Sequence, residues 1–264
     1  MNIAFRLLRA VVSLWLIVTL VFIALRATGD PITAIFDPDS NSQAVLDAYR
    51  RQWGYTGTIF EQYLVYIGNI LKGDFGFSSM SNRDAWTVVM DRLPATLQLV
   101  GWSAAVMMAI GIPVGAFAAV HAGGRLDRFV MGFSTVGFAL PNFVMGLGLI
   151  LLFSVSLHWL PSNGIGTPQH LVMPVLTIGL SQAAIFTRFV RSAILDALKL
   201  QCVVSARARG VGEWTIFWRH VVPNAMLPLV TITPLLVGAM VAASAVVESV
   251  FGWPGIGRLN VESV

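Results

Sequence analysis

One stretch of the sequence sets the fold: RFVRSAILDALKLQCVVSARARGVGEWTIFWRHVVPNAMLP, residues 188–228, an arginine-rich run between two long apolar ones. Ser192 to Arg209 is predicted to be one helix, which Gly210 and Gly212 interrupt before a short second helix. Apolar residues recur every three or four positions through both helices, and most charged ones face elsewhere. The apolar positions are Val203, Ala206, Gly210, Trp214, Phe217 and Val221. Such a segment predicts a partner outside the membrane, although an interfacial helix has the same periodicity.

The composition is that of a membrane protein. Of the 264 residues, 56% are hydrophobic and 11% are charged, and the mean hydropathy of +0.75 is far above that of soluble domains. Five windows are apolar enough to cross a hydrocarbon core of about 30 Å, which takes roughly 20 helical residues. They lie near Leu7–Leu25, Leu93–Val120, Phe129–Leu157, Leu171–Phe189 and Val221–Val247. The sequence therefore predicts an all-α, polytopic membrane helix bundle with five transmembrane helices.

The basic residues predict the orientation of these helices. If the N-terminus is cytoplasmic, the cytosolic segments hold ten of the seventeen Lys and Arg residues, and most of the others lie in one long outer segment. An excess of basic residues in cytoplasmic loops is the rule for multi-pass proteins. The net charge of +4 therefore reflects topology, because nucleic-acid binding would need a soluble basic domain. We expect a multi-pass membrane protein with a cytoplasmic N-terminus.

The chain is predicted to have three parts. They are an N-terminal transmembrane helix at 1–26, a periplasmic segment at 27–92 and a core at 93–264 that includes a cytosolic loop at 191–222. No small-residue cleavage site follows the first helix, so we expect it to be retained. Helical patterns at 41–53 and 59–71 lie in the periplasmic segment. The second is amphipathic, and its apolar stripe suits either the membrane surface or packing on the bundle.

Motifs for bond chemistry are missing from the sequence. It has no HExxH pair, no GxSxG elbow and no Walker-type GxxxxGK[ST], so no catalytic residue is predicted and the chain is not expected to hydrolyse ATP. Cys202 is the single cysteine, and the four histidines are scattered, with His158 and His170 only a weak metal candidate. The charges nearest to the interior of a span are Arg188 and Glu248, both at span ends, which argues against proton relay and against a polytopic membrane enzyme.

The stretch SARARGVGEWTIFWRHVVPNAMLP, residues 205–228, resembles the conserved cytoplasmic loop of ABC-importer permeases of the dipeptide, oligopeptide and nickel type. In that family the loop opens with Glu-Ala-Ala, has a Gly four residues later and then a Pro. Ala206, Gly210 and Pro223 match, whereas Val204 and Ser205 depart, as in many peptide-type members. Further similar stretches are GDFGFS at 73–78, LPATLQL at 93–99, PNFVMGLGLILLF at 141–153, HLVMPVLTIGLSQAAIFTRFVRSAILDAL at 170–198 and VESVFGWPGIGRL at 247–259.

This resemblance implies a transport subunit, not an enzyme. Its partners would be a homologous permease, two cytosolic ATPase subunits that bind ATP and Mg, a periplasmic binding protein and membrane lipid. Peptides are the leading substrates, with nickel or an opine-like small solute as the alternative. A scaffold or receptor without transport would need no ATPase and is disfavoured by the loop. Family members have six transmembrane helices, so the last is expected to be missing from this sequence.

The resemblance also implies site residues. The loop would act as a coupling helix that seats its apolar face in a groove of the ATPase, with Gly210 permitting the bend between its helices. The expected docking residues are Ser205, Ala206, Arg207, Gly210 and Glu213. The turn at 252–257 supplies candidates for a periplasmic gate or path, Trp253, Pro254 and Gly255. The alternative for that turn is an interfacial tryptophan anchor in a Gly/Pro turn.

Overall fold

The computed structural model describes residues 3–27, 57–78, 81 and 83–263. They belong to two compact units, Met1–Val88 and Val89–Val264. The helix predicted at 41–53 lies outside the described residues.

The described residues of the first unit form two helices and a short antiparallel pair of strands. Helix α1 is Ile3–Ala27, α2 is Ile59–Lys72, and β1 (Phe77–Ser78) pairs antiparallel with β2 (Arg83–Asp84). Helix α2 begins with a capping box, in which Thr58 and Glu61 satisfy each other's backbone N–H groups, and ends at Gly73 in the left-handed conformation. The predicted helix at 59–71 therefore has both of its ends specified locally.

Helix α2 packs on α1 through its tyrosines. The ring of Phe22 is buried between Tyr63 and Tyr66, with ring centroids 5.3 and 5.4 Å away, and the Tyr63 hydroxyl lies 2.8 Å from the Thr19 hydroxyl. Other apolar residues of α2, such as Leu64, remain exposed. The sequence allowed α2 to lie on the membrane surface or to pack on the bundle. Its tyrosines pack on the transmembrane helix α1.

The remaining described helices form the second unit, apart from the start of α3. They are α3 (Ala85–Val120), α4 (Arg125–Ala139), α5 (Asn142–Leu149), α6 (Gln169–Leu198), α7 (Gln201–Ala208), α8 (Glu213–Ile216), α9 (Val222–Val250) and α10 (Ile256–Glu262). Two π-helical segments extend them: Ile150–Ser156 continues α5, and Phe217–Val221 joins α8 to α9 without a break.

Four of the described helices are long and apolar enough to cross a membrane. They are Ala4–Ala24 within α1, α3, α6 and the continuous helix Glu213–Val250. The broken pair Arg125–Ala139 and Asn142–Ser156, bent by 99°, makes a fifth span if counted as one. An all-α membrane bundle is confirmed, but the third predicted span is not one straight helix. Pro141 disfavours helical backbone at the preceding residue, and Leu140 is accordingly extended at φ −77°, ψ 124°.

Helix α6 forms the centre of the second unit and contacts α4, α5 and α9. Its Phe186 and Val190 lie against Gly111 and Gly115 of α3, where a Cβ would overlap them. Gly179 of α6 meets Val106 of α3 in the same way. Small residues that let helices approach closely replace the hydrophobic drive that lipid cannot supply. The two helices consequently form a tightly packed frame for the rest of the unit.

Candidate functional site

The α7–α8 segment, residues 201–221, is the arginine-rich stretch from which the fold was predicted. It is not one helix from Ser192 to Arg209 followed by a second, because α6 ends at Leu198 and Leu200 is extended at φ −64°, ψ 143°. This break redirects α7 so that Val203 and Ala206 become fully buried. A second break, the surface turn at residues 209–212, contains Gly210 at φ +77° and separates α7 from α8.

The predicted apolar face does not stay on one side of the segment. Val203, Ala206 and Val221 are fully buried in the core of this chain, as is Ile216, which the spacing did not select. Trp214, in contrast, is 76% exposed. The surface turn resets the helical phase, so a period of 3.6 residues does not carry across it. The expectation that this whole face contacts a partner is therefore corrected: Ala206 contacts the chain's own core.

The other predicted docking residues reach the surface. Arg207, Gly210 and Glu213 are exposed, and Ser205 is half-buried. Arg207 donates from Nε to one carboxylate oxygen of Glu213 over 2.6 Å and from Nη2 to the other over 2.9 Å. This fork closes across the surface turn, and the hydrogen bond raises the pKa of Arg207. The ion pair thus joins the last turn of α7 to the first residue of α8 across the surface turn.

A cleft adjoins this ion pair. It has a volume of about 400 Å³ and is lined by Ala119, Val120, Leu198, Arg207, Glu213, Trp214, Ile216 and Phe217. The rings of Trp214 and Trp218 meet edge to face at 5.7 Å, and both are exposed. Exposed aromatic rings beside a charged rim are typical of protein interaction surfaces. The segment therefore presents a shaped, partly apolar surface on a frame fixed to the core.

The gate candidates lie in the buried turn, residues 251–255, which follows α9. Gly252 has φ +62°, and the indole of Trp253 is 7% exposed. The indole Nε1 donates to the carbonyl oxygen of Ala95 in α3 over 2.9 Å, and the Trp253 amide donates to the carbonyl of Glu248 over 2.8 Å. An indole held inside the unit is not the interfacial anchor considered from the sequence. Pro254 is half-buried and Gly255 is buried beside it.

Glu248 organises this turn, and sequence reasoning gave it no role. It is fully buried, and its carboxylate accepts from the Thr96 hydroxyl over 2.7 Å and from the Arg258 amide over 3.0 Å. The Thr96 oxygen in turn accepts from the amide of Ile256 over 2.9 Å. A Cβ at Gly255 would overlap the Glu248 carboxylate. The signal in the sequence was an acid inside the motif VESVFGWPGIGRL, at the end of an apolar span.

The weak metal candidates do not come together with further ligands. His170 Nδ1 lies 2.9 Å from the Thr167 hydroxyl. Among the residues with described coordinates, no group of three His, Cys, Asp or Glu side chains is placed to hold a metal ion.

Comparison with known proteins identifies the family. The sequence profile of the binding-protein-dependent transport system inner membrane component matches residues 111–264. The chain belongs to this family. Its resemblance to ABC-importer permeases of the peptide and nickel type is thereby confirmed, and it is a multi-pass membrane transport protein.

Curated relatives of the permease cover nearly all of it. The glutathione transport system permease protein GsiC of Shigella flexneri serotype 5b (strain 8401) is 38% identical over 260 residues, which are 98% of this chain and 85% of that protein. The protein of the same name from Escherichia coli (strain K12) matches with the same 38% identity and the same coverage. These relatives are transport permease subunits.

A solved structure shares the fold of the permease. The inward-facing MetNI methionine ABC transporter aligns with a TM-score of 0.57 at 20% identity, over 67% of this chain and 80% of that chain. At this identity the likeness shows the fold alone.

Proposed function

We propose that this chain is the permease subunit of an ATP-driven importer of peptides. With a homologous permease it forms the path for peptides that a periplasmic binding protein delivers. The proteins to which it is 38% identical carry the name of glutathione transport, and glutathione is a tripeptide. Nickel or an opine-like solute remains the alternative, because the sequence motifs are shared by importers of these solutes.

The observation that carries the proposal is that the α7–α8 segment has an exposed surface and is fixed to the core by buried side chains. Val203, Ala206, Ile216 and Val221 anchor it in the core, and α8 runs into α9 without a break. A push on Trp214 or on the Arg207–Glu213 pair is therefore delivered to the spans α6 and α9. We assign this segment as the coupling helix on which a cytosolic ATPase docks, with ATP and Mg bound by the ATPase. The α7–α8 segment then lies on the cytoplasmic side of the inner membrane, and the distribution of basic residues along the sequence supports a cytoplasmic N-terminus.

The buried turn lies beyond the other end of α9, so it would be on the periplasmic side. We assign Trp253, Pro254 and Gly255 to the gate or path. Support comes from the hydrogen bonds that join this turn to Ala95 and Thr96 of α3, because they make the neighbouring ends of α9 and α3 move as one body when access alternates. ATPase closure at one end of α9 would thus be coupled to opening at the other.

The test is co-purification of the ATPase. The permease is co-expressed with the products of its neighbouring genes, and the ATPase retained by the tagged permease is quantified for the wild type and for Trp214→Ala. Trp102→Ala is the matched control, because Trp102 is a 58% exposed tryptophan of α3 outside the α7–α8 segment. We expect at least tenfold less ATPase with Trp214→Ala, since exposed tryptophans at interfaces contribute about 2 kcal/mol or more. Full retention in both variants would contradict the docking assignment.

Substrate class is tested separately with the complete importer in vesicles. ATP-driven uptake of a labelled dipeptide, of glutathione and of nickel is compared under the same conditions. We expect uptake of one or both peptides and none of nickel. Uptake of nickel alone would establish the alternative.

A further inference from the structure

A second cleft, distinct from the one beside the surface turn, lies along α6. It has a volume of about 410 Å³ and is lined by Phe138 at the end of α4 and by Ile185, Arg188, Phe189 and Ser192 of α6. Arg188 precedes the last residue of α6 by ten positions, which corresponds to about 15 Å of helix. The guanidinium therefore lies at the end of the apolar part of α6, in a cleft lined mainly by apolar side chains.

The next arginine on the same helix behaves differently. Arg191 donates from Nε and Nη2 to the two carboxylate oxygens of Asp127 over 2.6 and 2.7 Å, and Asp127 is buried. Arg188, one turn earlier, is exposed and makes no hydrogen bond or ion pair with any residue that the structure describes. The charge of Arg191 is thus neutralised within the chain, whereas Arg188 lines the cleft without a partner among the described residues.

A free guanidinium on an apolar span is costly unless an anion, a lipid headgroup or water meets it. Its planar fork of N–H donors matches the two oxygens of a carboxylate. The Ser192 hydroxyl lies four residues along, on the same face of the helix, and can add a donor. The phenyl rings of Phe138 and Phe189 provide apolar surface beside these donors. This set of groups suits a carboxylate that is attached to an organic body.

The size of the cleft supports the same chemistry. A volume of about 410 Å³ is within the range of sites for small organic ligands and is larger than a single inorganic ion needs. A metal cation would be repelled by the guanidinium at close range. The cleft thus bears on the choice between peptide and nickel, which the sequence motifs left open.

We propose that Arg188, assisted by Ser192, binds a carboxylate group of the transported solute during its passage along α6. This inference rests on the proposed function as an importer and narrows its substrates to solutes with a free carboxylate, such as peptides with an unblocked C-terminus. Arg188 acts by binding only, and no bond is made or broken.

The test compares a dipeptide with the same dipeptide whose C-terminus is amidated. The complete importer is reconstituted in vesicles of neutral lipid and in vesicles with added anionic lipid, and ATP-driven uptake is measured for wild type, Arg188→Gln and Arg188→Lys. Arg128→Gln is the matched control, because Arg128 is exposed and lies on α4 outside the cleft. We expect Arg188→Gln to lower uptake of the free acid about tenfold, which is the scale of one charge-assisted hydrogen-bonded pair, and to leave uptake of the amide unchanged. Arg188→Lys retains part of the preference, and Arg128→Gln retains all of it.

Two outcomes would overturn the inference. Equal losses for acid and amide would assign Arg188 to structure, and a loss that appears only with anionic lipid would assign it to a lipid phosphate. A second measurement does not depend on transport: labelling of Arg188 by an arginine-specific dicarbonyl reagent in the purified wild-type complex, read by mass spectrometry. Protection by the dipeptide but not by its amide supports the carboxylate site even if no peptide is imported, in which case only the proposed function fails. Absence of protection by either contradicts the site itself.

Discussion

The surface turn and the buried turn both follow a helix and both contain a glycine with positive φ, Gly210 at +77° and Gly252 at +62°. The surface turn is closed by the exposed Arg207–Glu213 pair, whereas the buried turn is held by a carboxylate without solvent exposure, Glu248. Water screens an exposed ion pair, so it contributes little to stability, while a buried polar group is costly to leave without its hydrogen bonds. The first turn can therefore yield to a partner, and the second is locked to α3 and α10.

Replacement of Glu248 by alanine is expected to have the largest effect on stability. It removes the acceptor of the Thr96 hydroxyl and of the Arg258 amide and leaves a cavity, for a loss of about 4 kcal/mol in the free energy of unfolding. Thermal and denaturant unfolding of the purified permease in detergent measures the loss. Ser249→Ala, at the exposed neighbouring position, is the control and should change stability by less than about 0.5 kcal/mol. Equal effects of the two variants would show that the buried turn is not locked.

Gly257→Ala tests the packing beside the buried turn. A Cβ there would overlap the backbone of Ala245, so α10 must shift away from α9, at about 2 kcal/mol of unfolding free energy. Gly238→Ala is the matched control, because its Cβ meets open space within α9 and alanine favours helix. The same unfolding measurement should show no loss, or a small gain, for this control. An unchanged free energy of unfolding for Gly257→Ala would mean that α10 packs only loosely on α9.

Gly210→Ala in the surface turn should cost less than Gly257→Ala. A Cβ at Gly210 meets no atom within 4 Å, so only the left-handed backbone is disfavoured, by about 1 kcal/mol. The unfolding midpoint of this variant should lie between those of Gly257→Ala and the wild type. A loss as large as that of Gly257→Ala would show hidden packing at the surface turn and would weaken its contrast with the buried turn.

The smallest effect on stability is expected for the double exchange Arg207→Glu with Glu213→Arg. Because both side chains are exposed, the unfolding midpoint should stay unchanged for the exchange and for Arg207→Glu alone. ATPase co-purification should nevertheless fall with Arg207→Glu, since the pair shapes the surface that the proposed partner contacts. A large drop in the midpoint for the single variant would place the surface turn in the same class as the buried turn.

The transmembrane helices were predictable because lipid restricts the backbone conformations that a spanning segment can adopt. A run of about 20 apolar residues that crosses hydrocarbon must satisfy its own backbone, so it forms a helix. The break at Pro141 had a visible signal, since proline restricts the residue before it, but the bend of 99° depends on packing against other helices. Sequence therefore indicated that a helix could be interrupted there, without indicating by how much.

The candidate site was predictable only in part. The period of the α7–α8 segment was read through Gly210 and Gly212 as if one helix continued, which selected Trp214 for the apolar face and missed Ile216. The sequence predicts no role for Glu248, because its place at a span end indicates only that proton relay is disfavoured. Only the fold brings Thr96 to it, and the two residues are 152 positions apart. No local pattern carries information about such a partner.

That separation in sequence has a consequence for how the protein is made. At a translation rate of about 5–20 residues per second, roughly 8–30 s pass between the synthesis of Thr96 and that of Glu248, 152 residues later. Throughout this interval α3 lacks the carboxylate that its hydroxyl will bind. When α9 follows, the carboxylate of Glu248 is costly to bury until the Thr96 hydroxyl and the amide of Arg258 donate to it. A ribosome that stalls before residue 248 therefore leaves a membrane-inserted chain with an unfinished core, the form of a protein that cellular proteases remove.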